Sequence, residues 1–363
     1  MADIEPRYQP TEVSPPGATL LDVLEEREMN QRELAERMGR PIKTISGIVN
    51  GKVAITPETA LQFERVLGTP AQFWTQREAT YREYLARGQE GVQLEAYADW
   101  LDELPLPELR KHGGVSRSRD RSQIVREVLA FFAVASPDEW RQVYTAPQAH
   151  FRRHQPDRCD PAAIALWMRL GELEAQKQEC RPYNRDRFIA ALGEIRALTV
   201  EPPEVFQPRM TELCANAGVS LAFIPAIPRA RVSGLTRWLS KDKALIQLSL
   251  LGKYNDRLWF TFFHEACHVA YHGKRMVFLE FDGGDESPEE VAANQFAADL
   301  LIPPHQANRL QFLGADKGNV IAYADELGIH PGIVVGRMQH EGLLSHTHLN
   351  KLKTRFEWEE NAP

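Results

Sequence analysis

Three histidines stand at positions 264, 268 and 272, although the chain of 363 residues has only 11. The first two enclose Glu265 in the pattern His-Glu-x-x-His, inside a stretch that predicts a helix. Residues four apart lie on one helix face, about 6 Å apart along the axis, so His264 and His268 can reach one zinc ion. Zinc at that point makes a water molecule acidic, and the Glu265 carboxylate can take its proton during attack on a carbonyl group.

A third ligand is available on the next predicted helix, from about Pro288 to Leu301. Glu290 and Asn294 lie one turn apart on this helix, among positions that are otherwise apolar. Glu290 can complete the ligand set, and Asn294 can support it through a hydrogen bond. The pattern therefore predicts one zinc ion per chain.

Two neighbours of these residues have open roles. His272 continues the four-residue spacing, and we expect it to orient the site or to have a structural role rather than to be the third ligand, which Glu290 supplies better. Cys267 precedes His268, where it is either a redox-sensitive neighbour of the metal or a small buried helix residue.

Three segments, with the sequences KALIQLSL, WFTFFHEACHVAYHGK and EVAANQFAADLLIP, resemble the ImmA/IrrE family of metallopeptidases. The resemblance extends over about residues 205–353. It implies that His264, His268 and Glu290 are zinc ligands and that Glu265 is the general base. Family members with known activity act on helix-turn-helix repressors, so the resemblance implies a regulatory peptidase with a narrow choice of substrate.

A second pattern lies near the N-terminus, in the stretch QRELAERMGRPIKTISGIVNGK. Apolar positions recur within two short helices around a turn that contains glycine, which is typical of a helix-turn-helix. The second helix, Ile42 to Val49, has a short outward face, Gly47 included, that fits a major groove. The candidate DNA contacts are Gln31, which can reach a phosphate, and Lys43, Thr44, Ser46 and Asn50.

Residues 17–80 resemble the XRE-type helix-turn-helix family, and the continuation ITPETALQFERVLGTPAQFW looks like its HigA-type antitoxin branch. The family implies a dimeric domain that binds operator DNA. Residues 1–90 contain 11 basic and 14 acidic residues, so this domain supplies no broad positive field. A five-helix module that binds a protein instead of DNA is the alternative.

Both patterns belong to a chain whose periodicity predicts mainly α-helix with a small β-sheet, an α+β fold. The sheet is predicted from Val219–Ile224, Val232–Leu239 and Ala244–Leu250. Val232-Ser233-Gly234 is either an edge for an extended peptide or a turn in an ordinary strand. The predicted organisation is a flexible arm (1–16), a five-helix helix-turn-helix domain (17–87), a helical connector (88–200) and a zincin-like metallopeptidase domain with a helical tail (201–363).

The composition excludes several classes of protein. A net charge of −7 argues against non-specific nucleic-acid binding by the whole chain. The N-terminus lacks the features of a signal peptide, and the chain lacks an apolar run of membrane-spanning length. The four cysteines (Cys159, Cys180, Cys214 and Cys267) form no CxxC pair, so we expect a reducing cytoplasm and no membrane.

Two functions remain open from the sequence. The first is a transcription regulator with a zinc endopeptidase domain that cleaves a helix-turn-helix repressor or its own chain. The second is a non-catalytic, antitoxin-like repressor whose metal domain is a sensor or a platform for a partner such as a toxin. For both we expect a homodimer on operator DNA.

Overall fold

The computed structural model describes residues 12–146, 159–274, 277–281 and 287–358. Most of the arm predicted for residues 1–16 lies outside these ranges. Contacts divide the chain into two compact units, Met1–Ala98 with Asp120–Val125 and Asp99–Arg119 with Arg126–Pro363, which we term the N-terminal unit and the C-terminal unit. The boundaries that the sequence predicts at residues 16, 87 and 200 stay predictions.

The described residues form α-helices and four strands. The helices are α1 (Pro16–Glu26), α2 (Gln31–Met38), α3 (Ile42–Val49), α4 (Pro57–Leu67), α5 (Ala71–Ala96), α6 (Leu106–Lys111), α7 (Arg121–Phe132), α8 (Pro137–Trp140), α9 (Pro161–Lys177), α10 (Arg185–Ala197), α11 (Pro203–Asn216), α12 (Asn255–Tyr271), α13 (Pro288–Leu301), α14 (Pro304–Ala307), α15 (Lys317–Leu327) and α16 (Pro331–His340). The strands are β1 (Val219–Phe223), β2 (Val232–Ser240), β3 (Lys243–Leu248) and β4 (Phe278–Phe281). Short 3₁₀ and π turns join several helices.

Local signals begin and end the helices of the N-terminal unit. The Asn30 side chain accepts the backbone N–H of Glu33 at 2.9 Å and so caps α2. Gly39 ends that helix in the left-handed conformation, with a φ of 65°. Helices α1 to α4 pack around a core that includes Leu34, Ile45, Phe63 and Trp74. Helix α5 has 26 residues and continues past residue 87, where the sequence predicted the end of the five-helix domain.

The four strands form one mixed sheet in the order β1-β3-β2-β4. Strand β1 is parallel to β3, and β2 is antiparallel to both β3 and β4. The expected α+β class, mainly helical with a small sheet, is confirmed. Strand β4 was missed because its four residues, Phe-Leu-Glu-Phe, are too few to show an alternating pattern.

Two helices cover opposite faces of the sheet. Neighbouring residues of a strand point to opposite faces, and Thr236 and Arg237 on β2 show which helix lies on each side. The Thr236 hydroxyl donates to the backbone carbonyl of Glu265 on α12 at 3.0 Å. The Arg237 guanidinium forms an ion pair with Glu172 on α9. Helix α9 comes from the predicted connector, so this segment also contributes to the fold around the sheet.

Helices α12 and α13 carry the histidine pattern and the third predicted ligand; α12 matches the range predicted from the sequence, about Asp256 to Tyr271, to within one residue, and α13 matches its predicted range. The Ser287 hydroxyl caps α13 by accepting the backbone N–H of Glu290 at 3.4 Å, and Pro288 occupies the first helical position. The cap therefore fixes where the turn that carries Glu290 begins. The two helices pack in the core of the C-terminal unit, with Phe262, Phe263 and Ala297 buried among them.

Of the two alternatives for Ser233-Gly234, the peptide edge is wrong. Strand β2 lies between β3 and β4 and pairs with both, so its backbone groups are already used. Of the described helices, none has the length and apolar character that spanning a membrane requires.

Candidate metal centre

The His-Glu-x-x-His pattern lies in the buried second half of α12. His264, Glu265 and His268 are each at most 2% exposed. Large apolar side chains on the same helix, including Phe262 and Phe263, anchor it in the core. The fold thus holds three ionisable side chains away from water, which is costly unless other groups or an ion compensate them.

Glu290 meets both histidines at one point. The Nε2 atoms of His264 and His268 lie 3.0 Å apart. One carboxylate oxygen of Glu290 lies 2.8 Å from Nε2 of His264, and the other lies 3.4 Å from Nε2 of His268. Ligand atoms of all three residues lie within 4.8 Å of one another, and no other such group of ligands occurs in the part of the chain that the structure describes.

The other ring nitrogen of each histidine has its own partner. Nδ1 of His264 lies 2.9 Å from the side-chain oxygen of Asn294. Nδ1 of His268 lies 2.7 Å from Nδ1 of His272, and the His268 ring stacks on Phe278 of β4 with centroids 3.8 Å apart. These contacts fix the ring orientations so that both Nε2 atoms face Glu290. The structure therefore brings together all five residues for which the sequence predicted a ligand or supporting role.

The charges of the cluster are coupled. Burial lowers the pKa of His264, but the hydrogen bond to Glu290 and the charges of Glu280, Glu265 and Glu290 outweigh burial and raise this pKa to about 9. Burial raises the pKa of Glu290, but the hydrogen bonds from His264 and His268 outweigh it and lower this pKa to about 2. Burial keeps the pKa of His268 below its usual value. The hydrogen bond between His264 and Glu290 thus favours the charged form of each group.

Glu265 lies beside this cluster with unused hydrogen-bonding capacity. Neither of its carboxylate oxygens has a partner among the described residues. Burial raises the pKa of Glu265 well above its usual value, and the charge of Glu280 adds to that shift. Gly234 of β2 makes room for the carboxylate, because a Cβ atom at that position would lie 2.5 Å from Oε1 of Glu265. The backbone of β2 and the Glu265 side chain therefore fit together only with glycine at position 234.

Sequence reasoning missed Glu280. This residue pairs with Gly234 across β2 and β4, so its side chain lies on the sheet face that carries α12. Its Oε2 atom is buried and has no hydrogen-bond partner among the described residues. Burial raises its pKa, and the charge of Glu290 adds to this. A lone glutamate in an unpredicted strand gives no sequence signal; only the strand pairing reveals that it faces the site.

The donor set fits zinc. Two imidazole nitrogens and one carboxylate are a usual set of three protein ligands at catalytic zinc, which keeps its fourth position open. Each imidazole also has the second hydrogen-bond partner that ligating histidines usually have. The buried carboxyl group of Glu265, which interacts electrostatically with His264 and Glu290, is available as a general base. His264, His268 and Glu290 can therefore hold the ion.

The structure also indicates the roles of Cys267 and His272, which the sequence left open. Cys267 is 3% exposed, and burial raises the pKa of its thiol to about 11. It therefore carries no thiolate near neutral pH, which favours a small buried helix residue over a redox-sensitive neighbour of the metal. The contact of His272 with Nδ1 of His268 favours the orienting role.

The candidate DNA contacts lie on or beside α3. Lys43 is exposed, and Thr44, Ser46 and Gln31 are partly exposed. Asn50 is exposed, but its amide donates to the backbone carbonyl of Ser46 at 2.7 Å, which ties it to the end of the helix. Gly47 does not face outward as expected, because a Cβ atom there would lie 2.5 Å from Val53.

Comparison with known proteins identifies two families in the chain. Residues 20–74 match the Helix-turn-helix family, and residues 252–335 match the family of the IrrE N-terminal-like domain, which is a peptidase family. The second match contains the His-Glu-x-x-His pattern and Glu290.

Two individual relatives are similar to a part of the chain. Over 59 residues the chain is 36% identical to an uncharacterized HTH-type transcriptional regulator, YddM of Escherichia coli; this match covers 16% of the chain and 63% of the regulator. An addiction module antidote protein of the HigA family from Coxiella burnetii is 26% identical, with a TM-score of 0.22, and the match covers 24% of this chain and 95% of that one. The chain thus carries an XRE-type helix-turn-helix domain at its N-terminal end and an ImmA/IrrE-type peptidase-family domain toward its C-terminal end.

Proposed function

We propose that this protein is a DNA-binding transcription regulator whose C-terminal unit is a zinc endopeptidase. Its substrate is a helix-turn-helix repressor or its own chain, so that cleavage changes transcription. The resemblance of the metal segments to the ImmA/IrrE family supports this choice of substrate class. The matches to a helix-turn-helix family and to a peptidase family support the pairing of the two activities in one chain.

One observation carries the peptidase proposal. The Glu265 carboxylate is fully buried, lies beside a complete set of zinc ligands and has no hydrogen-bond partner among the described residues. A protein that uses zinc only for structure needs no such group, because an unpaired buried carboxyl group destabilises the fold. A general base needs it to be free and close to the reacting water.

Each residue has its own role in the proposed reaction. His264, His268 and Glu290 hold the zinc ion, and Asn294 and His272 keep the two imidazole rings in place. Zinc bound there supplies Lewis acidity, which makes water a stronger acid and polarises a peptide carbonyl group. Glu265 takes a proton from the attacking water and then donates it to the amide nitrogen as the carbon–nitrogen bond breaks. The products are a carboxylate and an amine.

The first experiment tests turnover. Full-length protein loaded with zinc is incubated with the helix-turn-helix proteins that neighbouring genes encode, and a cleavage product is sought by mass spectrometry. We expect one substrate to be cut and Glu265→Gln to slow the reaction by a factor of about 10²–10⁴, because a general base contributes that much.

The matched control is Glu212→Gln, since Glu212 is exposed and far from the ligands in sequence. This variant should cleave at the normal rate. Zinc far below one equivalent per chain, or equal cleavage by the Glu265 and Glu212 variants, would contradict the peptidase proposal. The better hypothesis would then be an antitoxin-like repressor without catalytic activity, whose metal domain binds a partner such as a toxin.

The DNA-binding part of the proposal uses α3. Lys43 carries the positive charge on this helix, and Thr44 and Ser46 supply the hydroxyl groups that can reach base edges or phosphates. Gln31 stands at the first turn of α2, where backbone N–H groups favour a phosphate. A homodimer would place two such helices one DNA turn apart, which compensates for the small positive field of one domain.

The second experiment tests this face. We expect the double substitution of Lys43→Ala and Asn50→Ala to weaken operator binding about tenfold, because a charge and an amide are removed from the groove-facing helix. Gel-shift titration measures the change, and zinc content should stay the same. Lys177→Ala is the control, since Lys177 is exposed in the C-terminal unit. Equal binding by both proteins would contradict this assignment of the DNA contacts.

A further inference from the structure

A second polar site lies on the opposite face of the sheet from the metal centre. A cavity of about 480 Å³ opens between α9, the turn of residues 141–145 and the end of β2. Its wall contains Arg169, Glu172, Arg237 and Lys243 beside apolar residues such as Val143 and Val134. Sites that bind small organic molecules usually have volumes in this range.

The charges in this wall do not balance. Arg169 and Glu172 are each 8% exposed and form an ion pair at 2.8 Å. The other oxygen of Glu172 pairs with Arg237, so a single carboxylate serves two guanidinium groups. Lys243 adds a third cation, held by the carbonyl oxygens of Ala175 and Gln178 at the end of α9. The named groups thus carry three positive charges and one negative charge.

Arg237 has the least complete set of partners among these cations. Its Nη1 atom pairs with Glu172, whereas its buried Nε–H group has no hydrogen-bond partner among the residues that the structure describes. Nε and Nη2 form the edge of a guanidinium that holds a carboxylate or phosphate through two parallel hydrogen bonds. An anion that meets this edge would complete the hydrogen bonding of Arg237.

We infer that this cavity binds a small organic anion that carries a carboxylate or phosphate group. The anionic group lies against Arg237 and Lys243, where it balances the excess positive charge. The apolar part of the molecule lies against Val143 and Val134. A site built only for stability would leave neither an excess of positive charge nor an open cavity, because both reduce stability. The inference does not depend on the peptidase proposal.

Titration calorimetry and thermal unfolding of the full-length, zinc-loaded protein test the inference at low salt. The probes are benzoate, phenyl phosphate, inorganic phosphate and the neutral benzyl alcohol. We expect benzoate or phenyl phosphate to bind with a stoichiometry of one and to raise the melting temperature. The tighter of these two shows whether the site prefers carboxylate or phosphate. We expect inorganic phosphate and benzyl alcohol to bind at least about tenfold more weakly, since each lacks one half of the recognised chemistry.

Two variants locate the binding. Arg237→Gln should weaken it about tenfold or more, since a hydrogen bond to a charged group is lost. Arg209→Gln, at an exposed arginine, should leave it unchanged. If Arg237→Gln does not fold, Val143→Trp serves instead, because Val143 is 42% exposed at the cavity and a larger side chain there fills the space.

Three results would overturn the inference. The first is that neither aromatic anion binds. The second is that benzyl alcohol or inorganic phosphate binds as tightly as the aromatic anions. The third is that the variant at Arg237 or Val143 binds as well as the Arg209 control.

Discussion

The two recognised regions of this protein are built by different rules. In the helix-turn-helix region, residues at the ends of each helix set its limits; Asn30 and Gly39 bracket α2, and Thr56 and Gly68 bracket α4. In the metal centre, the groups that meet are far apart in the chain, on β2, α12, β4 and α13. A substitution in the first region should therefore have a small effect that stays local. A substitution in the second region should have a larger effect, because it disturbs residues that are distant in the chain.

The largest expected effect concerns zinc affinity and pH. Zinc needs neutral imidazoles, and the His264 pKa of about 9 means that a proton must leave before zinc binds. Affinity should therefore rise by about tenfold per pH unit, or about a hundredfold from pH 6 to pH 8, with one proton released. Competition with a chelator measures the affinity, and calorimetry in two buffers measures the proton. A constant affinity over that range would show that the pairing with Glu290 does not control binding.

Next in size is the loss of a residue that supports a ligand. Asn294→Ala removes the partner of Nδ1 of His264, so the ring loses its fixed orientation. We expect zinc affinity to fall by about 10–100-fold. Gln295→Ala is the matched control, because this neighbouring side chain bonds to Asp299 and not to a ligand. Similar affinities for the two variants would mean that packing alone orients His264.

A smaller effect is expected from a single added methyl group. Gly234→Ala would place a Cβ atom 2.5 Å from Oε1 of Glu265, so strand and helix must separate. Overpacking of this kind costs about 1–3 kcal/mol. Denaturant unfolding, monitored through the release of zinc, measures the loss of stability. Gly193→Ala in α10, where an added Cβ meets no atom within 4 Å, should cost nothing. Equal stabilities would show that β2 and α12 are not tightly fitted.

The smallest effect belongs to the N-terminal unit. Asn30→Ala removes the cap of α2 and should destabilise this unit by about 1 kcal/mol. Thermal unfolding and gel shifts measure the change, and zinc affinity should not move. Asn184→Ala, which removes the cap of α10 in the other unit, is the control and should leave DNA binding unchanged. A loss of zinc affinity in Asn30→Ala would contradict the expectation that substitutions in the N-terminal unit have only local effects.

The same contrast explains what the sequence could predict. Helices α3 and α13 match their predicted bounds because capping residues and prolines mark them locally. The ligand pattern was also readable, since a four-residue spacing means the same thing on any helix. These signals are complete within a short window of sequence.

Features that depend on pairing between distant segments were missed. Strand β4 and Glu280 become visible only when the sheet order is known. The same order shows that β2 offers no free edge at Ser233. The packing of α9 against the sheet could not be predicted either. Its apolar sequence indicates a buried helix but not the surface against which the helix packs.

The burial of Glu265 has a consequence for the stability of the chain. A carboxyl group held without partners in the core makes the protein less stable than it could be, so an apolar substitution of similar size at this position should raise the melting temperature. Selection for stability alone would remove this residue early. On the proposed function, a screen for heat-resistant variants should recover substitutions of Glu265, and these variants should lack peptidase activity.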